Sequence, residues 1–195
     1  MAGNAENGGR RELFWRIVPW VTAALILLLP MVAMQFTDEV VWDETDFAVI
    51  GVMLFGACGA YELAARTTGK VAYRAAVGVA AMAAFILIWM NLAVGIIGPE
   101  DNPANLMYGG VLAVGIIGAV IARFQSHGMA RAMSATALAQ ALVAVIALTA
   151  GLGSTGPSWP GGILILTGFF AALWLISAWL FRKAARKQTS AGPAT

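Results

Sequence analysis

A chain of 195 residues that is 60% hydrophobic and only 11% charged, with mean hydropathy +0.79, carries more apolar surface than a soluble fold of its length buries. Twelve Lys and Arg against ten Asp and Glu give a formal charge of +2, but the basic residues stand at the ends of apolar runs as membrane anchors do, so no nucleic-acid partner is expected. One cysteine, Cys58, and one histidine, His127, exclude a disulfide framework, a multi-cysteine metal site and a bis-histidine haem.

Residues 1–9 are small, polar and unpatterned, and a disordered tail is expected there. Arg10-Arg11 before an apolar run raises the alternative of a cleaved twin-arginine signal. Met31-Val32-Ala33 is a poor small-x-small cleavage site and the run is long enough to span, so the first helix is expected to be retained. Six spans follow in order: 17–34, 47–65, 75–98, 104–122, 132–152 and 161–181. They are continuous apolar runs rather than alternating ones, which predicts helices and not barrel strands. Residues 10–187 are thus read as one six-helix transmembrane domain, and 188–195 as a second disordered tail. Cys58 falls inside the second span as a packing residue, and His127 falls in a loop, Ser126-His127-Gly128.

Every Lys and Arg lies in the N-terminal segment, in the connections 66–74 and 123–131, or in the C-terminal tail. The three alternate connections, 35–46, 99–103 and 153–160, have none. By the positive-inside rule both termini are expected in the cytoplasm. Trp15, Trp20, Tyr61, Tyr73 and Trp179 fall towards the inner interface, and Trp42, Trp89, Tyr108 and Trp159 towards the outer one.

Gly51, Val52, Gly56, Gly59 and Ala60 of the second span map onto Gly110, Val111, Gly115, Gly118 and Ala119 of the fourth at a constant offset of 59. Each span follows an acidic connection and precedes a basic one, which predicts a parallel repeat of helical hairpins, spans 2–3 and 4–5. Glycines three apart share a face, so each stripe is expected to be a helix contact between spans 2 and 4. The other reading is a glycine-lined path for a small solute.

Within the spans, Glu62 has Arg66 four residues on, the spacing of an ion pair. Gln140 is the deepest strong hydrogen-bonding side chain, and Asn91 lies nearer the other surface, with Gly95 and Gly98 leaving space beside it. Both are expected to fasten neighbouring helices, and Glu62, Asn91 and Gln140 are also the candidates for a transport path. Asp38, Glu39, Asp43, Glu44 and Asp46, with Glu100, Asp101 and Asn102, make an acidic outer face. Asp43, Glu44, Asp46, Glu100 and Asp101 offer oxygen ligands for a hard cation if the two loops meet, although no spacing matches a calcium loop. Ordinary capping is the competing reading, with Asp46 capping the second span and Asn102 preceding Pro103 at a helix start. No P-loop, GxSxG or HExxH motif occurs, and His127 stands alone on the opposite side from the acidic cluster, which leaves no credible nucleophile with a histidine base, so neither an enzyme nor a cofactor is expected.

At Met34-Gln35-Phe36-Thr37-Asp38-Glu39-Val40, Trp42-Asp43-Glu44-Thr45-Asp46-Phe47, Tyr61-Glu62-Leu63-Ala64-Ala65-Arg66 and from Asn91 to Tyr108, the chain resembles a family of small, uncharacterised bacterial multi-pass inner-membrane proteins. The resemblance runs from about Met34 to Gly153 and implies a bacterial inner membrane, with no activity or site residues to carry over. The expected fold is an all-α polytopic bundle of six helices. The expected function is a non-enzymatic accessory or scaffold subunit in the lipid bilayer, as a homo-oligomer or beside other membrane subunits. The alternative is a small transporter or channel.

Overall fold

A computed structural model of the chain describes the backbone of residues 3–38, 41–156 and 158–189, and the side chains of 17–38, 41–66, 68–156 and 158–186. The protein is all-α, with no strand among the described residues. Its helices are α1 (Gly3–Ala33), α2 (Glu44–Thr67), α3 (Val71–Ala93), α4 (Met107–Ile121), α5 (Ser126–Thr149) and α6 (Gly161–Thr189), with a 3-10 turn at Pro103–Leu106. Among the described residues, five of them are long and apolar enough to cross a membrane, and α1 carries a shorter apolar run, Ile17–Ala33. This is compatible with a multi-pass membrane protein.

Two compact units divide the chain, Met1–Thr67 and Thr68–Thr195. In the first, α1 packs on α2 through Trp20 and Phe55, whose ring centroids are 5.7 Å apart, and the Cys58 thiol donates to the Pro19 carbonyl at 3.4 Å. Helix α2 starts with a reciprocal cap. The Asp46 N–H donates to Asp43 Oδ1 at 2.9 Å, and the Asp43 N–H to Asp46 Oδ2 at 3.0 Å. Trp42 before the cap stacks edge-on against Phe47 in the next turn, 5.3 Å between centroids, the hydrophobic staple that fixes the entry angle. Asp43 is therefore the N-cap, and Asp46 closes the box three residues on, instead of capping the helix itself.

In the second unit α5 and α6 share the largest interface, with α3 packed on α6 and α4 packed on α5. Leu87, Tyr108, Val111, Phe170 and Phe181 form its fully buried core. Bonds between elements fasten it. Ser177 Oγ of α6 donates to the Ala76 carbonyl of α3 at 2.9 Å, and Tyr73 Oη donates to the Phe124 carbonyl at 2.6 Å. The second bond holds the α4–α5 turn, where Arg123 and Phe124 occupy left-handed backbone at φ 47° and 57°. Such a pair of side-chain-bearing residues costs free energy that this contact offsets.

Several ends differ from the sequence expectation. Helix α1 extends back to Gly3, into the stretch read as a disordered tail, and α6 runs on to Thr189, while 190–195 lie outside the described residues. Helix α5 begins six residues before the expected 132, so His127 stands in its first turn and not in a loop. The Gly128 side of that turn lies against Ala122, where an added Cβ would come within 2.6 Å of the Ala122 Cβ. Helix α3 ends at Ala93, and 94–98 are non-helical because Gly95 and Gly98 both adopt φ 71°.

Candidate functional site

The acidic residues are occupied by local structure or open to solvent. Asp43 caps α2 and Asp46 bonds back to it, Glu44 is the exposed first residue of that helix, and Glu100 and Asp101 are exposed in the α3–α4 connection. Glu39 lies outside the described residues. Among the described residues no group of three or more His, Cys, Asp or Glu is placed to hold a metal ion. Glu62 and Arg66 form the ion pair that their spacing suggests, 2.8 Å from Nε to Oε1, with the Arg66 side chain 65% exposed and that of Glu62 13% exposed. Exposure of the guanidinium limits its value to about 0.5 kcal/mol.

The connection from α3 to α4 is built around a residue that sequence reasoning passes over. Asn105 Oδ1 accepts from the Ile96 and Ile97 N–H groups at 3.0 and 2.8 Å, and its Nδ2 donates to the Pro99 carbonyl at 2.9 Å. Left-handed Gly95 turns the chain so that the two successive N–H groups converge on that one oxygen. Gly95 does not open space beside Asn91. A Cβ there would lie 2.6 Å from the Gly98 carbonyl oxygen and from the Pro99 carbonyl carbon. Gly98 in turn meets the α5–α6 connection, where a Cβ on Gly153 would come 2.8 Å from the Gly98 nitrogen. Asn102 caps the 3-10 turn as its position before Pro103 suggests, accepting from the Ala104 N–H at 3.0 Å. Glycines either side of an Asn-rich stretch were the available signal, but only the fold shows which Asn turns inward.

Neither deep amide fastens two helices. Asn91 Nδ2 donates to the Leu87 carbonyl of its own helix at 2.8 Å, and its Oδ1 is buried without a partner. Gln140 is 0% exposed, and neither Nε2 nor Oε1 has a hydrogen-bond partner. The interhelical bond expected of it is made instead by Ser177. Buried polar atoms of Tyr108, Thr167 and Trp174 in the same unit also lack hydrogen-bond geometry, although the Tyr108 and Thr167 hydroxyls are neighbours. Tyr108 and Trp174 were missed because aromatic residues in apolar runs read as core or interface belt.

The two glycine stripes have different surroundings. An added Cβ on Gly115 would meet Thr136 Oγ1 at 3.1 Å, and one on Gly118 would meet the Ala132 Cβ at 2.8 Å, so the α4 stripe, expected to meet span 2, packs on α5. Around Gly51, Gly56 and Gly59 nothing lies within 4 Å of an added Cβ. Gly118→Val is expected to destabilise by about 1–3 kcal/mol, whereas Gly56→Val changes the stability of the dissociated monomer by about 0.5 kcal/mol or less. Thermal unfolding of the two variants in detergent reads the difference.

The described interior is therefore a tightly packed helix unit with sealed, unpaired amide and hydroxyl groups, and its ends are shaped by capping and loop bonds. Comparison with protein-family models, with curated proteins and with solved structures finds no match, so the functional reading rests on these residues.

Proposed function

We propose that the chain is a six-span protein of the bacterial inner membrane, with both termini in the cytoplasm, acting as a non-enzymatic accessory or scaffold subunit. The orientation is supported by the restriction of all twelve Lys and Arg to the two terminal segments and to alternate connections. The observation that carries the scaffold reading is the closed interior of residues 68–195: Gly115 and Gly118 of α4 sit directly on α5, and Gln140, Thr136 and Ser177 are fully buried. A body packed in this way offers little room for a solute. The partner-facing surface is the side of α2 that α1 leaves uncovered, where Gly56 and Gly59 lie among exposed Val52 and Leu63 and would admit a helix of another subunit or of a second copy.

Mass measurement of the complex extracted in mild detergent tests this directly. A mass above the 20.4 kDa monomer is expected, reverting to monomer in Gly56→Leu with the fold intact. A monomer that conducts solute in proteoliposomes would overturn the reading. One observation favours transport as a second reading, namely the unpaired buried polar atoms of Gln140, Tyr108, Thr167 and Trp174. Water or a small solute among them would satisfy these groups.

A further inference from the structure

The connection from α3 to α4 folds around a carboxamide. Both lone pairs of Asn105 Oδ1 are engaged, by the Ile96 N–H at 3.0 Å and the Ile97 N–H at 2.8 Å, while Nδ2 donates to the Pro99 carbonyl at 2.9 Å. Two converging donors and one acceptor thus match the polar edge of a primary amide. Asn105, Ile96 and Ile97 are all buried, which shields the two N–H groups from bulk water.

The direction of those N–H groups is fixed by contacts that do not involve the Asn105 side chain. At the end of α3 the Met90 carbonyl accepts from both the Val94 and the Gly95 N–H, at 3.1 and 3.0 Å, and left-handed Gly95, φ 71°, reverses the chain. Glycine is required there, because a Cβ would lie 2.7 Å from the Pro99 oxygen. Further on, Gly98 at φ 71° and Gly153 at φ 75° bring two connections together. A Cβ on Gly153 would come 3.1 Å from the Ile97 carbonyl carbon and 3.3 Å from Ile97 Cγ2. The Asn102 N–H closes the turn on the Pro99 carbonyl at 3.1 Å. Successive N–H groups held inward by the backbone in this way make a nest, a concavity suited to an oxygen ligand.

We propose that residues 95–99 form a preorganised site for a primary carboxamide, in which Asn105 serves as the tethered ligand. The backbone supplies the recognition, and the tether supplies a high effective concentration. A free primary amide is therefore bound in place of the side chain once that side chain is removed. The acceptor sets the selectivity, since an amide without N–H groups offers nothing to the Pro99 carbonyl and brings methyl groups against it. The site lies within the second unit and does not depend on the scaffold reading.

Asn105→Gly clears the side chain, and formamide is the same group freed of its tether. The full-length variant and the wild type are melted in detergent with sub-molar formamide or N,N-dimethylformamide. Formamide is expected to raise the melting temperature of Asn105→Gly by about 2–3 °C relative to the wild type treated alike, the shift that binding to the folded state gives at a few times Kd. N,N-dimethylformamide is expected to give no such rise. Neither amide is expected to raise Asn102→Ala, which loses a capping bond three residues away without emptying the nest. If Asn105→Gly is not folded after extraction, its refolding yield in detergent replaces the melting temperature, and formamide is expected to give about twice the yield of N,N-dimethylformamide or more. Equal effects of the two amides on Asn105→Gly, by either readout, overturn the proposal, because they report the solvent and not the site. An equal formamide shift in Asn102→Ala overturns it as well, as does the absence of any formamide effect on Asn105→Gly.

Discussion

Gln140→Leu is expected to stabilise the protein by about 1–3 kcal/mol, seen as a rise of several degrees in thermal unfolding in detergent. The wild-type amide is 0% exposed and neither of its polar atoms is bonded, so folding strips it of partners without replacing them. Leucine removes that penalty and fills a similar volume among Thr136, Ala137, Val143 and Ala144, the buried residues flanking it along α5. The sign separates the two functional readings. If water or solute satisfies Gln140, the substitution removes a bonded group, and stability falls or stays level as any flux is lost. A gain in stability with assembly intact supports the closed body, and a loss of stability argues for an occupied interior.

Asn105→Ala is expected to cost about 3–5 kcal/mol, the largest loss of any single substitution considered. The side chain satisfies two consecutive buried N–H groups, of Ile96 and Ile97, and donates to the Pro99 carbonyl. Its removal strands the two N–H groups, since Ile97 is fully buried and Ile96 nearly so, while the Pro99 carbonyl keeps the Asn102 N–H at 3.1 Å. Asn102→Ala, three residues away, removes one capping bond to the Ala104 N–H and is expected to cost about 1 kcal/mol. Thermal unfolding of the two variants side by side gives the order. Equal losses would mean that the connection is held by backbone contacts such as Gly98 with Gly153, and not by the Asn105 side chain.

The helices were legible because continuous apolar runs have one solution in hydrocarbon, and the Glu62–Arg66 pair was legible because its spacing is local. Trp42-Asp43-Glu44-Thr45-Asp46-Phe47 is likewise local. It encodes a capping box and a staple, though the cap falls on Asp43 where the sequence reading chose Asp46. Partners from elsewhere in the chain were not legible. The matched glycines of α2 and α4 are identical in sequence, yet one stripe is filled by α5 and the other is open, because the filling side chains, Thr136 and Ala132, come from another helix. Gln140 shows the same limit, since its depth follows from its place in the run but its lack of a partner depends on its neighbours.

The closed interior is tested most directly by water access at position 140. Cys58, the single cysteine, is replaced by alanine, and Gln140→Cys is then treated in native membranes with a membrane-permeant thiol reagent that reacts only where water reaches. Thr155→Cys, in the exposed α5–α6 connection, serves as the reactive control. No labelling at position 140 under conditions that label position 155 fully is the predicted result. Labelling at comparable rates would contradict the closed body and place a hydrated path through the helices.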